Sequence, residues 1–276
     1  MEKTTYIQHA IESWITREQE PYASEEKPRL WASDMNKCAR KALVRVTHLA
    51  KETVKPTTQM QLYFQAGNMW EDDTAAALRW HYGEALQEQL VLKDDIWSGK
   101  CDFALHHGDD SQQTVLIEHK AKGDKWWNYN DALPQNDHIG QLYIYWYLYK
   151  KIYGVEPKLV LFYRTWGHYA EFYIEPQPDG AVMIHGTIDG QAVVKRKGLR
   201  LHAVREELEI YYTTGEVPPR LLDKSEGCTF KGQPSCAYYH YCWGVDDLKE
   251  LGKTTDEDTI FLAGTGQEKS VSDIRF

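Results

Sequence analysis

The spacing of apolar residues changes period several times along the chain. Tyr6, Ile7, Ala10, Ile11, Trp14 and Ile15 recur at helical spacing and stop before Pro21, which predicts a helix over the first twenty or so residues. A second helix is predicted from a cap at Ser33 or Asp34 to about His48, and a third follows Pro56 and runs to Tyr82 through Gly67 and Glu71. The period then falls to two over 89–92, 96–105 and 114–120, with a turn at 107–111. A long aromatic helix is expected over 134–153, with Pro134 at its first position. Strands at 158–163 and 169–174, a turn at 176–180 and a helix from about Asp189 to Tyr212 complete the regular part. A turn-rich stretch from 215 to 243 follows, then a polar tail from about 254 that is expected to be mobile. Helices, three strands, a helix, two strands and helices make an α/β protein, a mixed sheet covered by helices.

Length bounds this picture before composition does. The 276 residues suit one large domain or two small ones, and 42% hydrophobic with 13% aromatic residues exclude a mostly disordered chain. No apolar run approaches the ~18 residues of a membrane span, and the start carries acids and amphipathic spacing in place of a signal core, so a cytoplasmic setting without membrane contact is expected. Five cysteines in a reducing compartment point to ligation, catalysis or burial before disulfides. The formal charge of −9 argues against nucleic-acid binding by overall charge and leaves room for a local basic surface.

The chemistry concentrates at the first predicted hairpin. With its turn centred near Asp110, antiparallel partners sum to about 220, which sets Asp102 opposite Glu118. Parity then gives Cys101, Phe103 and Leu105 an apolar face with Val115 and Ile117, and puts Asp102, Glu118 and Lys120 on the other face. Two carboxylates across a strand pair repel unless a cation lies between them. A hard divalent ion, Mg²⁺ or Mn²⁺, is held by such acids with water and phosphate oxygens, and Lys120 on the same side can contact a phosphate. The plainer alternative is a solvated sheet face on which Lys120 neutralises one acid.

Gly99-Lys100-Cys101-Asp102 followed by Ile117-Glu118-His119-Lys120 resembles the metal-binding hairpin of the PD-(D/E)XK nuclease superfamily, and two further elements resemble its RecB-like branch. Gly67 is followed four residues later by Glu71, where that branch commonly has a metal-binding histidine and some phage exonucleases a carboxylate. His138, Gln141 and Tyr145 share one stripe of a helix and resemble the branch's Gln-x-x-x-Tyr motif. The resemblance implies a restriction-endonuclease-like fold. It implies metal ligation by Glu71, Asp102, Glu118 and the backbone carbonyl of His119, a water-positioning or charge-neutralising Lys120, an orienting Gln141 and a strand-contacting Tyr145. The implied activity is metal-dependent DNA exonuclease cleavage of single strands or ends, in recombination, repair, phage DNA processing or CRISPR spacer acquisition, with a recombination complex or CRISPR integrase as partner. The alternatives are a non-catalytic DNA-end binding protein that keeps the fold, and a zinc-stabilised interaction module.

Cys38, Cys228, Cys236 and Cys242 remain once Cys101 is assigned to the apolar face, and three of them within one short stretch point to an iron-sulfur cluster or a structural Zn²⁺. One cysteine ahead of the hairpin and three behind it resemble the iron-sulfur subset of these nucleases, CRISPR-associated adaptation nucleases and AddB-type domains, which implies a [4Fe-4S] cluster stapling the C-terminus to the N-terminal helices. Seven residues separate Cys228 from Cys236 where the family commonly has about two, and His240 offers a replacement ligand for a zinc site. The corresponding division is an N-terminal helical region over 1–56, a nuclease core over 57–213, a cysteine region over 214–253 and the tail over 254–276. Lys195, Arg196, Lys197 and Arg200, with Arg40, Lys41 and Arg45, are nominated for DNA contact. Trp126 and Trp127 are nominated for base stacking, with core burial the competing role for one of them.

Overall fold

Period-two alternation builds an eight-stranded mixed sheet in this computed structural model, which describes residues 28–49, 58–106, 114–123, 127, 132–220, 228–230, 233–234, 236–243, 259–261 and 268–270. The helix expected over the first twenty residues lies outside them. Strands β1 (Leu30–Trp31), β2 (Leu86–Lys93), β3 (Trp97–Leu105), β4 (Val115–Ala121), β5 (Lys158–Arg164), β6 (Tyr169–Pro176), β7 (Val182–Ile188) and β8 (Gln191–Lys197) form the sheet. Its order is β1-β3-β4-β5-β6-β7-β8, with β2 also paired to β3. The pairs β1–β3 and β4–β5 are parallel and the rest antiparallel.

Helices α1 (Ala39–Thr47), α2 (Thr58–Tyr82), α3 (Asn136–Tyr153) and α4 (Leu201–Thr214) accompany the sheet. Successive residues of β4 and β5 enter different cores. Leu116 and Leu161 join Leu142, Ile144 and Leu148 of α3, whereas Ile117 and Val160 join Ala75 of α2. The sheet therefore lies between α3 and α2, and each fully buried aliphatic side chain contributes roughly 1.5–3 kcal/mol to holding them there. The parallel β4–β5 pair requires a crossover, which α3 supplies.

Several boundaries differ from the expected ones for identifiable reasons. The helix predicted from Ser33 or Asp34 begins at Ala39, because the Asp34 carboxylate accepts bonds from Trp31 N (2.7 Å) and the Arg45 guanidinium (2.5 Å), and Asn36 turns left-handed at φ 57°. The aromatic helix starts at Asn136, with Pro134 upstream of it and extended Gln135 donating its N–H to the Tyr163 hydroxyl. The helix expected from Asp189 is corrected. Asp189 and Gly190 form the left-handed turn of the β7–β8 hairpin, at φ 48° and 80°, and only Leu201–Thr214 is helical. The tail expected to be mobile contains a short antiparallel pair, Thr259–Phe261 with Glu268–Ser270.

Candidate active site

Beside β3, two partners share one edge and leave a gap between them. Ser98 pairs with Trp31 of β1 on one side and Lys93 of β2 on the other, while Phe103 pairs with Ile117 of β4 and Glu88 of β2. The edge opposite β2 is thus held by β1 at residues 97–98 and by β4 at residues 103–105. Phe103 and Ile117 sum to the expected 220, but the ladder ends there. Asp102 instead bends its carboxylate to accept the His119 backbone N–H at 2.8 Å, and the Lys100 carbonyl accepts the Tyr145 hydroxyl at 2.9 Å.

The same place interrupts alternation in β2. Gln89 adopts φ 54°, and the side chains on either side of it enter opposite cores, Leu86 on the α2 side and Leu90 and Leu92 on the α3 side. Cys101 likewise belongs to the α3-side core and not to the Phe103, Leu105, Val115 and Ile117 face expected for it. Where the pleat changes sides, groups from both layers come within electrostatic reach of one another. Glu71 of α2 accepts from Gln89 Nε2 at 2.5 Å, and Glu118 on the α3 side accepts from Lys120 Nζ (2.6 Å) and Gln141 Nε2 (2.7 Å). Gln141 also donates to the Tyr145 hydroxyl at 2.7 Å and accepts from Lys120 at 3.1 Å. Gly99 makes the Tyr145 contact possible, since a Cβ there would stand 2.4 Å from the tyrosine ring and 2.9 Å from Ala32 Cβ.

Glu118 is 2% exposed, and among the described residues its Oε2 has no hydrogen-bond partner. Burial, then the charges of Glu118 and Glu71, push the Asp102 carboxyl up to about 8. Burial and Glu118 likewise raise Glu71, and burial raises Glu118 against the opposing pull of Lys120. Burial pulls the Lys120 ammonium down, but Glu118, with Asp102 and Asp137, makes the net shift upward. Three mutually repelling acids around one lysine are an arrangement that folding by itself disfavours. A divalent cation suits this donor set, because it would relieve the repulsion and occupy the orphaned oxygen. Among the described residues no three His, Cys, Asp or Glu side chains, here or at the cysteines, already converge at metal-holding distance, but a hard divalent ion takes only one or two carboxylates and completes its shell with water and phosphate. Next to the acids opens a cleft of about 390 Å³ lined by Trp31, Gly99, Lys100, Gln141 and Tyr145, in which the half-exposed Trp31 ring carries the Arg45 guanidinium at 3.7 Å.

No protein-family model matches the chain, and no curated protein matches it in sequence. Among solved structures it is similar to SSO0001, at 16% identity and a TM-score of 0.45 over 86% of this chain and 96% of that one. It is also similar to a protein of Eubacterium rectale named only as a candidate exonuclease, at 11% identity and a TM-score of 0.37 over 86% and 97% of the two chains.

The four remaining cysteines come from both ends of the described chain into one region. Cys38 stands at the N-cap of α1, Cys228 and Cys236 are buried with Val44, Tyr238 and Tyr239, and Cys242 lies in the short helix α5 (Tyr239–Trp243). All four are free thiols. Burial raises Cys242 to about 11, and the neighbouring Cys236 and Cys38 add to the shift; Cys236 in turn is raised by burial and by Cys228 and Cys38. The buried His240 lies in the same helix.

The residues nominated for DNA contact are mostly engaged within the fold. Arg45 pairs with Asp34, Arg40 donates to the Pro218 carbonyl, Lys195 to the Leu133 carbonyl, and Arg196 pairs with Asp179. Arg200 is the left-handed N-cap of α4. Trp126 lies outside the described residues. Trp127 is buried, donates to Asp189 at 2.9 Å and stacks on His168, so it takes the core role. Three lysines of the region, Lys37, Lys122 and Lys197, gather at the start of α3; only Lys197 had been nominated. Trp31 was also missed, since one tryptophan in a charged stretch carries no pattern.

Proposed function

We propose that the chain is a divalent-metal-dependent deoxyribonuclease with a restriction-endonuclease-like, RecB-type core, an exonuclease acting on single-stranded DNA or DNA ends. The observation that carries this reading is the electrostatic coupling of Glu71, Asp102 and Glu118, from three separate elements, beside Lys120 at a break in the sheet, with a buried Glu118 oxygen that has no partner among the described residues. Surface acids on an ordinary sheet face are neither buried nor raised together in this way.

Asp102, Glu118, Glu71 and the His119 carbonyl would hold Mg²⁺ or Mn²⁺. When bound, the ion would supply Lewis-acid polarisation of the phosphate and acidify the attacking water. The chain's own groups supply the rest. Lys120 offers a cationic N–H to a phosphate oxygen as charge grows on it, and Gln141 holds Lys120 and Glu118 in register. Tyr145, pushed well above its ordinary value by burial and by the Glu118 charge, remains a neutral hydroxyl that locks Gln141 to β3. Trp31 in the adjoining cleft offers a π face to an unpaired base.

Incubation of the protein with end-labelled single-stranded DNA and Mn²⁺ or Mg²⁺ tests this. Progressive shortening that Glu118→Ala abolishes is expected. Intact DNA under both metals would reject catalysis and leave the end-binding reading.

We also propose that Cys38, Cys228, Cys236 and Cys242 hold a [4Fe-4S] cluster, with structural Zn²⁺ as the alternative. Four free thiols from separate parts of the described chain, with Cys236 and Cys242 held upward by burial and then by neighbouring cysteines, support it. A brown anaerobic preparation is expected, and a colourless one with a single zinc per chain would assign the alternative.

A further inference from the structure

One helical turn before Gln141, the start of α3 gathers lysines from three separate elements. Lys37, in the loop before α1, places Nζ 3.9 Å from Asp137 Oδ2. Lys122, just past β4, donates to Gln135 Oε1 at 2.7 Å. Lys197, at the end of β8, donates to the Pro134 carbonyl at 2.5 Å and to Asn136 Oδ1 at 3.1 Å. The loop carrying Lys37 is fixed against α3 at Gly140, where a Cβ would stand 2.8 Å from Met35 Cγ and 2.9 Å from Asn36 Nδ2, and Asn36 donates to the Asn136 carbonyl.

Charge in this cluster does not balance. Asp137 is the leading carboxylate acting on both Lys37 and Lys122; Asp34 acts on Lys37 more weakly and is itself paired with Arg45. Lys120, in electrostatic reach of both lysines, is engaged by Glu118. His138 contributes no charge near neutral pH, since burial holds its imidazole down at about 3 beside the Tyr163 hydroxyl. The acceptors of Lys122 and Lys197 are carbonyl and amide oxygens, which satisfy hydrogen bonds without neutralising charge. Burial pulls Lys37, Lys122 and Lys197 below the ordinary lysine value, while the Lys37 side chain stays 46% exposed and within reach of a solvent-borne ligand. In a chain of net charge −9, this is a local excess of half-buried ammonium groups beside the acids of the candidate site.

We propose that Lys37 and Lys122, with Lys197 at the rim, seat a phosphate of a DNA strand next to the one held at Asp102, Glu118 and Lys120. The inference rests on the nuclease reading and adds to it where the strand runs. From the first turn of α3 to Gln141 is one turn, about 5 Å, the order of one nucleotide's reach. Ammonium groups act on phosphate as point charges, so they suit an internal phosphodiester or a terminal phosphomonoester alike.

The test is binding of labelled single-stranded DNA to the full chain in chelator, across a salt series, with Lys37→Gln, Lys122→Gln, the double variant and the two Lys→Arg variants. Each single Gln variant is expected to bind about fivefold more weakly, with a salt slope shallower by about 0.7 per lost contact, and the Arg variants to recover both. A seat for a terminal phosphate predicts that parental preference for a 5′- or 3′-phosphorylated end disappears in the double variant. A seat for an internal phosphodiester predicts equal loss for phosphorylated, hydroxyl and circular strands. A double variant with parental melting temperature, affinity within twofold and unchanged slope overturns the proposal. Parallel digestion with Mn²⁺ separates the two readings. Lysine-dependent binding without cleavage by the parent keeps the seat and rejects the nuclease, whereas cleavage with lysine-independent binding does the reverse. A parent that binds no DNA rejects both.

Discussion

Two hairpins of one sheet treat charge in opposite ways. In β7–β8 the ladder is continuous from Val182–Lys197 to Ile188–Gln191, the turn is Asp189-Gly190, and the charged side chains lie outside, as Arg196 does in its exposed pair with Asp179. In β3–β4 the ladder stops after Phe103–Ile117, the pleat changes sides, and acids are drawn inward to an orphaned buried oxygen. A regular ladder satisfies its backbone and leaves side chains nothing to do beyond packing. A broken one frees backbone groups that side chains such as Asp102 and Tyr145 must then satisfy, and it lets groups from both layers meet.

Substitutions can break that contrast, beginning with the largest effect. Lys120→Ala should reduce cleavage by roughly a hundredfold or more while the chain still folds, measured as initial rate on end-labelled DNA. It should also cost about 3 kcal/mol of stability at neutral pH, read by urea unfolding, because Glu118 loses its buried partner; protonation of Glu118 reduces the cost as pH falls. In the regular half, Trp127→Ala should cost a similar ~3 kcal/mol through lost burial and the lost bond to Asp189, with cleavage per folded molecule unchanged.

Asp102→Asn sharpens the contrast in the other direction. The Asp102 carboxyl stands at about 8 in the fold against an ordinary 3.8, so between those values the native state keeps a proton that the unfolded chain has released. Metal-free stability must therefore fall as pH rises from about 4 to about 8. The asparagine variant should flatten that fall and be more stable than the parent near pH 8, while losing activity. Arg196→Ala should give the smallest effect, a melting temperature within about 1 °C of the parent, because its partner Asp179 is likewise exposed.

The chemistry of β3–β4 was legible in sequence because it violates expectation. Two acids with a lysine two residues on are conspicuous, and the expected sum of 220 holds at Phe103–Ile117, although the ladder ends before Asp102 and Glu118 could pair and the expected turn at 107–111 lies outside the described residues. Cys101 was misplaced because parity presumes an unbroken pleat, and nothing local announces that Gln89 takes a left-handed conformation. The β7–β8 hairpin was missed for the opposite reason. Its Gln191–Lys197 strand lies at the sheet edge and turns only Val193 toward the apolar core, so its basic run reads as a helix surface, although Asp189-Gly190 is a strong two-residue hairpin signal. Lys37 and Lys122 could not be paired from sequence, since only the crossover of α3 and the close approach at Gly140 bring them together.

Catalysis as proposed requires the buried acids to be a cation seat. Thermal melting of the parent and of Asp102→Asn at pH 8, with and without Mn²⁺, tests this without reference to DNA or turnover. With such a seat, Mn²⁺ raises the parent's melting temperature by several degrees and leaves the variant's within about a degree. Equal shifts in both proteins, or none in the parent, would contradict it.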